Sequence, residues 1–154
     1  MLSSPQIVET AAAPAAIIRL TIARSEMMSA FGPAVGELLN ALAAQNVDPI
    51  GAVFAHHLTM PPDKFDFELG VRISAPIEEA GRVRRGELPA ARVARTVYTG
   101  PYEGLPSAWG EFMTWIKTNG HAPAEDLWEV YTVGPHSNTD PSGWRTELNR
   151  PLAG

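Results

Sequence analysis

The sequence predicts an α+β fold in which one strand–helix–strand–strand unit is used twice, each copy an antiparallel sheet with one main helix. Three observations predict it: the chain matches itself in order, two segments follow the helical repeat, and the segments around them alternate as strands do. Residues 15–24 (AAIIRLTIAR) answer residues 90–99 (AARVARTVYT), and 34–42 (AVGELLNAL) answer 108–116 (AWGEFMTWI). Val53-Phe54 then answers Val130-Tyr131, and Phe67-Glu68-Leu69 answers Thr146-Glu147-Leu148. The offset drifts by a few residues while the order holds, as loop insertions in a duplicated chain would produce. Pseudo-repeats at about 14–74 and 89–152 inside a single domain, 1–154, are expected.

Taken in order, Ile18, Leu20 and Ile22 alternate with Arg19, Thr21 and Ala23, which suits a strand with one buried face. Val35, Leu38, Leu39 and Leu42 make a helical stripe, and Pro33 suits a first turn. Two strands follow, roughly 51–58 and 65–74, joined by Pro61-Pro62-Asp63. Phe65, Phe67, Leu69, Val71 and Ile73 share a face that can bed the helix. Residues 75–88 carry turn residues and charge and read as a connector between copies. Arg82, Arg84 and Arg85 lie there beside Glu78, Glu79 and Glu87, a solvated cluster. In the second copy Val93 and Val97 repeat the first strand, and Trp109, Phe112, Met113 and Ile116 repeat the helix, which ends at Asn119-Gly120. Strands at about 127–133 and 144–149 complete it, joined by GPHSNTDPSG at 134–143. Two half-covered sheets close most simply against each other, which predicts a ligand cleft between the units.

Composition narrows the chemistry. The chain of 154 residues has no cysteine, which excludes disulfides, thiolate zinc sites and a cysteine nucleophile. Twelve Lys and Arg against seventeen Asp and Glu leave a net charge of −5, which opposes broad phosphate binding, so direct nucleic-acid contact is not expected. No apolar run reaches the roughly 20 residues of a membrane span, and MLSSPQIVET lacks the pattern of a signal peptide. A cytoplasmic location follows as the expectation. His56 and His57 are adjacent on a strand and point to opposite faces, one outward and one partly buried, so they cannot share a metal. His121 and His136 fall in loops. No P-loop, Gly-x-Ser-x-Gly or Gly-x-Gly-x-x-Gly is present, and no cofactor or metal is expected.

One residue breaks its surroundings. The strand Leu127-Trp128-Glu129-Val130-Tyr131-Thr132-Val133 is apolar apart from a single carboxylate. Glu129 reads either as a solvent-facing residue of an edge strand or as an anionic anchor beside an aromatic ring, an arrangement that attracts organic cations. With a raised pKa it could also act as a general base on water. Tyr131 shares its face, and Tyr102, in the loop before the second helix, and Tyr98 are candidate walls. Trp109 lies on the helix stripe, where packing and a place in the cleft both fit. Phe54 is the first-copy match of Tyr131.

The stretch Tyr98-Thr-Gly-Pro-Tyr-Glu-Gly-Leu105, the helix with Trp109 and Trp115, Asn119-Gly120, Trp128-Glu129-Val130-Tyr131 and Trp144-Arg-Thr-Glu-Leu-Asn-Arg-Pro151 together resemble the GyrI-like small-molecule-binding domain, from about Pro14 to Leu152. This is the effector-binding domain of multidrug-responsive transcription activators. The resemblance implies a duplicated strand–helix–strand–strand fold and an aromatic cleft in which the glutamate of the Glu-x-Tyr strand, here Glu129 with Tyr131, contacts ligands. Together with the lone carboxylate, this leads to the expectation of a stand-alone effector-sensing or sequestering protein that binds a small hydrophobic or cationic molecule, with Glu129 as counter-charge and Tyr131, Tyr102, Tyr98, Phe54 and Trp109 as candidate cleft residues. Two alternatives come with it: a hydrolase of small strained or cyclopropanoid toxins using Glu129 as general base, and a protein-partner modulator such as a gyrase inhibitor. The strand pattern starts by residue 17, which leaves no room for a helix-turn-helix, so direct operator binding is not expected. Monomer and homodimer both remain open.

Overall fold

The computed structural model describes residues 2–59, 63–134 and 138–153. Pro61-Pro62 of the first expected turn, and Pro135 to Ser137 with His136, lie outside the described residues. The chain forms two compact units, one of residues 11–90 and one of residues 1–10 with 91–154.

In the unit of residues 11–90, β2 (Ala13–Ala23) leads into α1 (Met27–Ala44), which returns through β3 (Pro49–Thr59) and β4 (Lys64–Ile73) to β5 (Arg84–Leu88). Antiparallel pairing gives the order β5-β2-β4-β3. Cross-strand pairs Ile18–Leu69 and Leu20–Phe67 line up the apolar residues of one face. Against such a face the helix contributes Ala34, Leu38 and Leu42, all buried. Each large apolar side chain so buried stabilises the unit by roughly 1.5–3 kcal/mol. Leu39, expected on that stripe, is 38% exposed.

The other unit begins with β1 (Gln6–Thr10), then β6 (Ala91–Thr99), α2 (Leu105–Thr118), β7 (Leu127–Val133) and β8 (Arg145–Pro151). Its antiparallel order is β1-β6-β8-β7, the same plan with β1 in the place of β5. Ala108, Phe112 and Ile116 of α2 meet Ala94, Tyr98 and Leu148 in one buried cluster, with Trp109, Met113 and Trp115 half-buried around it. The helix ends as its sequence predicts: Gly120 has φ +78°, and the His121 amide donates to the Ile116 carbonyl.

Four local expectations are corrected. Residues 84–88 form an edge strand on β2, and residues 6–10 form one on β6. Both are largely polar and half solvated, so neither carries a strong apolar period. Gly86 lets β5 lie close, because a Cβ there would stand 2.8 Å from the Ile17 side chain. The first helix starts six residues before Pro33, behind a turn at Arg24–Glu26 in which the Ala23 amide donates to the Glu26 carboxylate at 2.9 Å. In β6, Ala94 and Tyr98 face the helix, not Val93 and Val97. Finally, both His56 and His57 are buried.

That register also revises the internal match. Leu69 in β4 pairs with Ala55, and its repeat mate Leu148 in β8 pairs with Glu129. Counting along the two strands, Glu129 therefore answers Ala55 and Tyr131 answers His57, while Phe54 answers Trp128.

Candidate functional site

The central strand of the candidate site, β7, pairs regularly with β8 through Trp128–Asn149, Glu129–Leu148 and Val130–Glu147, then resumes at Val133–Arg145. Two residues of β7, Tyr131 and Thr132, thus oppose the single residue Thr146. Such a bulge bends the strand and re-aims the side chains at it. Here the Tyr131 hydroxyl turns back along its own strand and donates to Glu129 Oε1 at 2.8 Å. Residues two apart share a face of a strand, roughly 7 Å apart, a span that a tyrosine hydroxyl can cross to reach a glutamate.

From the helix side, Trp109 Nε1 donates to Glu129 Oε2 at 2.6 Å. Trp109 follows the buried Ala108, one position around from the core stripe, so its ring rests near Phe112, at 5.7 Å between centroids, while its N–H reaches the strand. Glu129 is 8% exposed. Both of its oxygens accept from neutral donors, and among the described residues no Lys, Arg or His nitrogen forms a salt bridge with it.

Burial favours the neutral acid and pushes the Glu129 carboxyl above its ordinary range, while the Trp109 and Tyr131 hydrogen bonds oppose that rise. Tyr131 is driven well above the usual phenol range, first by burial and then by the adjacent carboxylate. Tyr102 is raised by the same two causes, which places it within the electrostatic reach of Glu129. Its ring meets Tyr131 edge-on at 5.9 Å and leans on Trp144 at 4.8 Å. Trp144 is fixed by its Nε1 donating to the Asn138 carbonyl at 2.8 Å. A carboxylate under two donors, continued by two further aromatic rings, can hold a positive charge through ion pairing and ring quadrupoles together.

Of the residues singled out by sequence, Glu129, Tyr131, Trp109 and Tyr102 come together. Tyr98 is buried in the core of α2, and its hydroxyl donates to the Pro101 carbonyl at 2.8 Å, tying down the turn that carries Tyr102. Phe54 belongs to the unit of residues 11–90, where it is buried over Gly70; a Cβ on that glycine would stand 2.6 Å from the Phe54 ring and 2.9 Å from Ile17. Sequence reasoning did not single out Thr146 or give Trp144 a role. The inward parity of Thr146 beside Leu148 was the available signal. Among the described residues no cluster of three or more His, Asp or Glu could hold a metal, and no helix is long and apolar enough to cross a membrane.

An α+β domain with a buried, aromatic-framed carboxylate belongs to the class of small-molecule-binding domains. The GyrI-like small molecule binding domain matches residues 3–153, and the chain belongs to that family. A search of curated proteins returned no match. Among solved structures, the EcmrR C-terminal domain superposes with a TM-score of 0.84 at 19% identity, covering 97% of each chain. EcmrR in complex with DNA gives the same TM-score at 20% identity, and there the chain spans 57% of its relative's length. A hydrolase from Listeria innocua (TM-score 0.71, 11% identity, 97% and 91% covered) and SAV2435 bound to tetraphenylphosphonium (0.70, 13%, 99% and 95%) share the fold.

Proposed function

We propose that this domain binds a small lipophilic cation, with Glu129 as counter-charge and Tyr131, Tyr102, Trp109 and Trp144 as its aromatic surround. The observation that carries the reading is the burial of Glu129 against neutral donors alone. A buried carboxylate without a cation is costly, and a ligand that brings one relieves that cost while its apolar body gains from aromatic contact. Uptake requires side chains around Glu129 to move aside, because Glu129 is nearly closed off from solvent. The fold likeness to a protein solved with tetraphenylphosphonium makes that cation the natural first probe. A sensing or sequestering role, built on two pseudo-repeats of one domain, completes the proposal.

Titration of tetraphenylphosphonium and of neutral triphenylphosphine oxide, followed by quenching of tryptophan fluorescence, tests it. Glu129→Gln should weaken the cation at least tenfold, equivalent to about 1.4 kcal/mol, and leave the neutral compound nearly unchanged. Equal losses for both would remove the role given to the charge.

The raised basicity of Glu129 favours a second reading, in which it takes a proton from water as the water adds to a strained ring and then returns that proton to the carbon released when the ring bond breaks. Turnover of a cyclopropanoid substrate that disappears in Glu129→Gln would support it, and binding without turnover would remove it.

A further inference from the structure

Alternation puts Thr146 on the face of β8 that carries Leu148 into the α2 cluster, and Leu148 is the cross-strand neighbour of Glu129. Thr146 stands directly opposite the bulge at Tyr131 and Thr132. Its residue is 0% exposed, and its Oγ1 has no hydrogen-bond partner among the described residues. A valine would fill the same volume without a polar atom, and a buried hydroxyl left unpaired destabilises the fold that holds it. A buried hydroxyl of this kind is satisfied when a water or a ligand atom reaches it, and Thr146 differs from other unpaired groups in lying beside the Glu129 register.

We infer that Thr146 is a specificity-determining residue of the Glu129 site, its hydroxyl reserved for a hydroxyl, carbonyl or amine of the ligand. The inference rests on the cation-binding reading above and adds a second requirement to it. Thr146 lies two residues along β8 from the neighbour of Glu129, so the ligand's polar atom lies roughly 7 Å from its cationic centre. Tyr131, on the bulge that Thr146 faces, lies level with Thr146 and donates to Glu129, so it links the two anchors. Ligands with charge alone use half of the site.

A matched pair of probes separates the two requirements: tetraphenylphosphonium, which has no hydrogen-bonding atom, and (4-hydroxyphenyl)triphenylphosphonium, which adds one. The wild-type domain should bind the hydroxylated cation about three- to tenfold more tightly. Thr146→Val should abolish that preference, leave the parent cation unchanged and raise the melting temperature, whereas Thr146→Ser should keep the preference. A purely structural threonine would not move the ratio of the two affinities. If both cations bind in a manner that depends on Glu129 but Thr146→Val leaves their ratio unaltered, the assignment of Thr146 falls and the cation site stands. If neither cation binds, both fall.

Discussion

The two units run the same strand order under helices with matching buried stripes, yet they bury ionisable groups of opposite sign. By sheet register Glu129 and Tyr131 answer Ala55 and His57, and by helix register Trp109 answers Val35. In the later unit two donors meet the carboxylate. In the earlier one the His57 ring stacks on Phe67 at 4.9 Å and meets Phe65 edge-on at 5.8 Å, and its Nδ1 has no hydrogen-bond partner among the described residues. Burial is the leading cause of both shifts, raising Glu129 and lowering His57 to about 4. The shared frame thus keeps this stretch of β3 and β7 dry, and the local donors decide whether a charge can be kept there. Among the described residues, the later unit supplies those donors through Trp109 and Tyr131.

The largest way to break this comparison is to move the carboxylate. Ala55→Glu places an acid at a position of 0% exposure without the Trp and Tyr donors. It should cost about 3–5 kcal/mol in urea denaturation, since an uncompensated buried charge is involved. A loss below about 1 kcal/mol would mean that the donors of the later unit are dispensable.

His57 sharpens the contrast through pH. Its folded pKa lies below the unfolded value of 6.5, so the unfolded chain binds more protons between the two. Stability should therefore fall as pH drops from 6.5 toward 4, by about 3 kcal/mol for this group. Thermal melts of His57→Leu should lack that acid limb. Glu129 has the opposite sign: its folded pKa is raised, so its contribution is greatest in acid and declines as pH rises through the raised value.

A smaller effect is expected from Tyr131→Phe, which removes one donor and keeps the ring. At pH 8 it should destabilise the domain by about 1.5–3 kcal/mol, the range for a hydrogen bond to a charged group, and by less at pH 4. Equal losses at both pH values would show that the hydroxyl does not stabilise the anion.

Much of this contrast could be read beforehand. Leu38, Leu42, Phe112 and Ile116 of the expected stripes are buried as their period implies, while Ala34 and Ala108 take the places given to Val35 and Trp109. The close of α2 at Asn119-Gly120 and the bounds of β7 follow from turn chemistry and period. Glu129 was visible as the one carboxylate in an apolar strand. The edge strands at 6–10 and 84–88 were not visible, because their polar residues are defined by pairing and not by burial. The match of β6 slipped by three residues, since short runs of Ala, Arg and Val align at several offsets and only cross-strand hydrogen bonds select one. Alternation announced that Tyr131 shares the face of Glu129, but the bulge beside it, where Tyr131 and Thr132 oppose Thr146, has no signature in periodicity. Trp109 looked like core because a tryptophan one step from a stripe does both jobs: its ring packs and its N–H reaches out. Burial of both His56 and His57 likewise reflects cover on the two faces of β3.

On the cation-binding proposal, Glu129 is a carboxyl kept nearly dry until a cation arrives. Its ionisation can be followed directly by the 13C shift of its carboxyl carbon, assigned through Glu129→Gln, with and without tetraphenylphosphonium. The free domain should show a midpoint above the ordinary carboxylate range, and the bound cation should bring it down, because an adjacent positive charge favours the anion. A midpoint that the cation leaves in place would contradict the account.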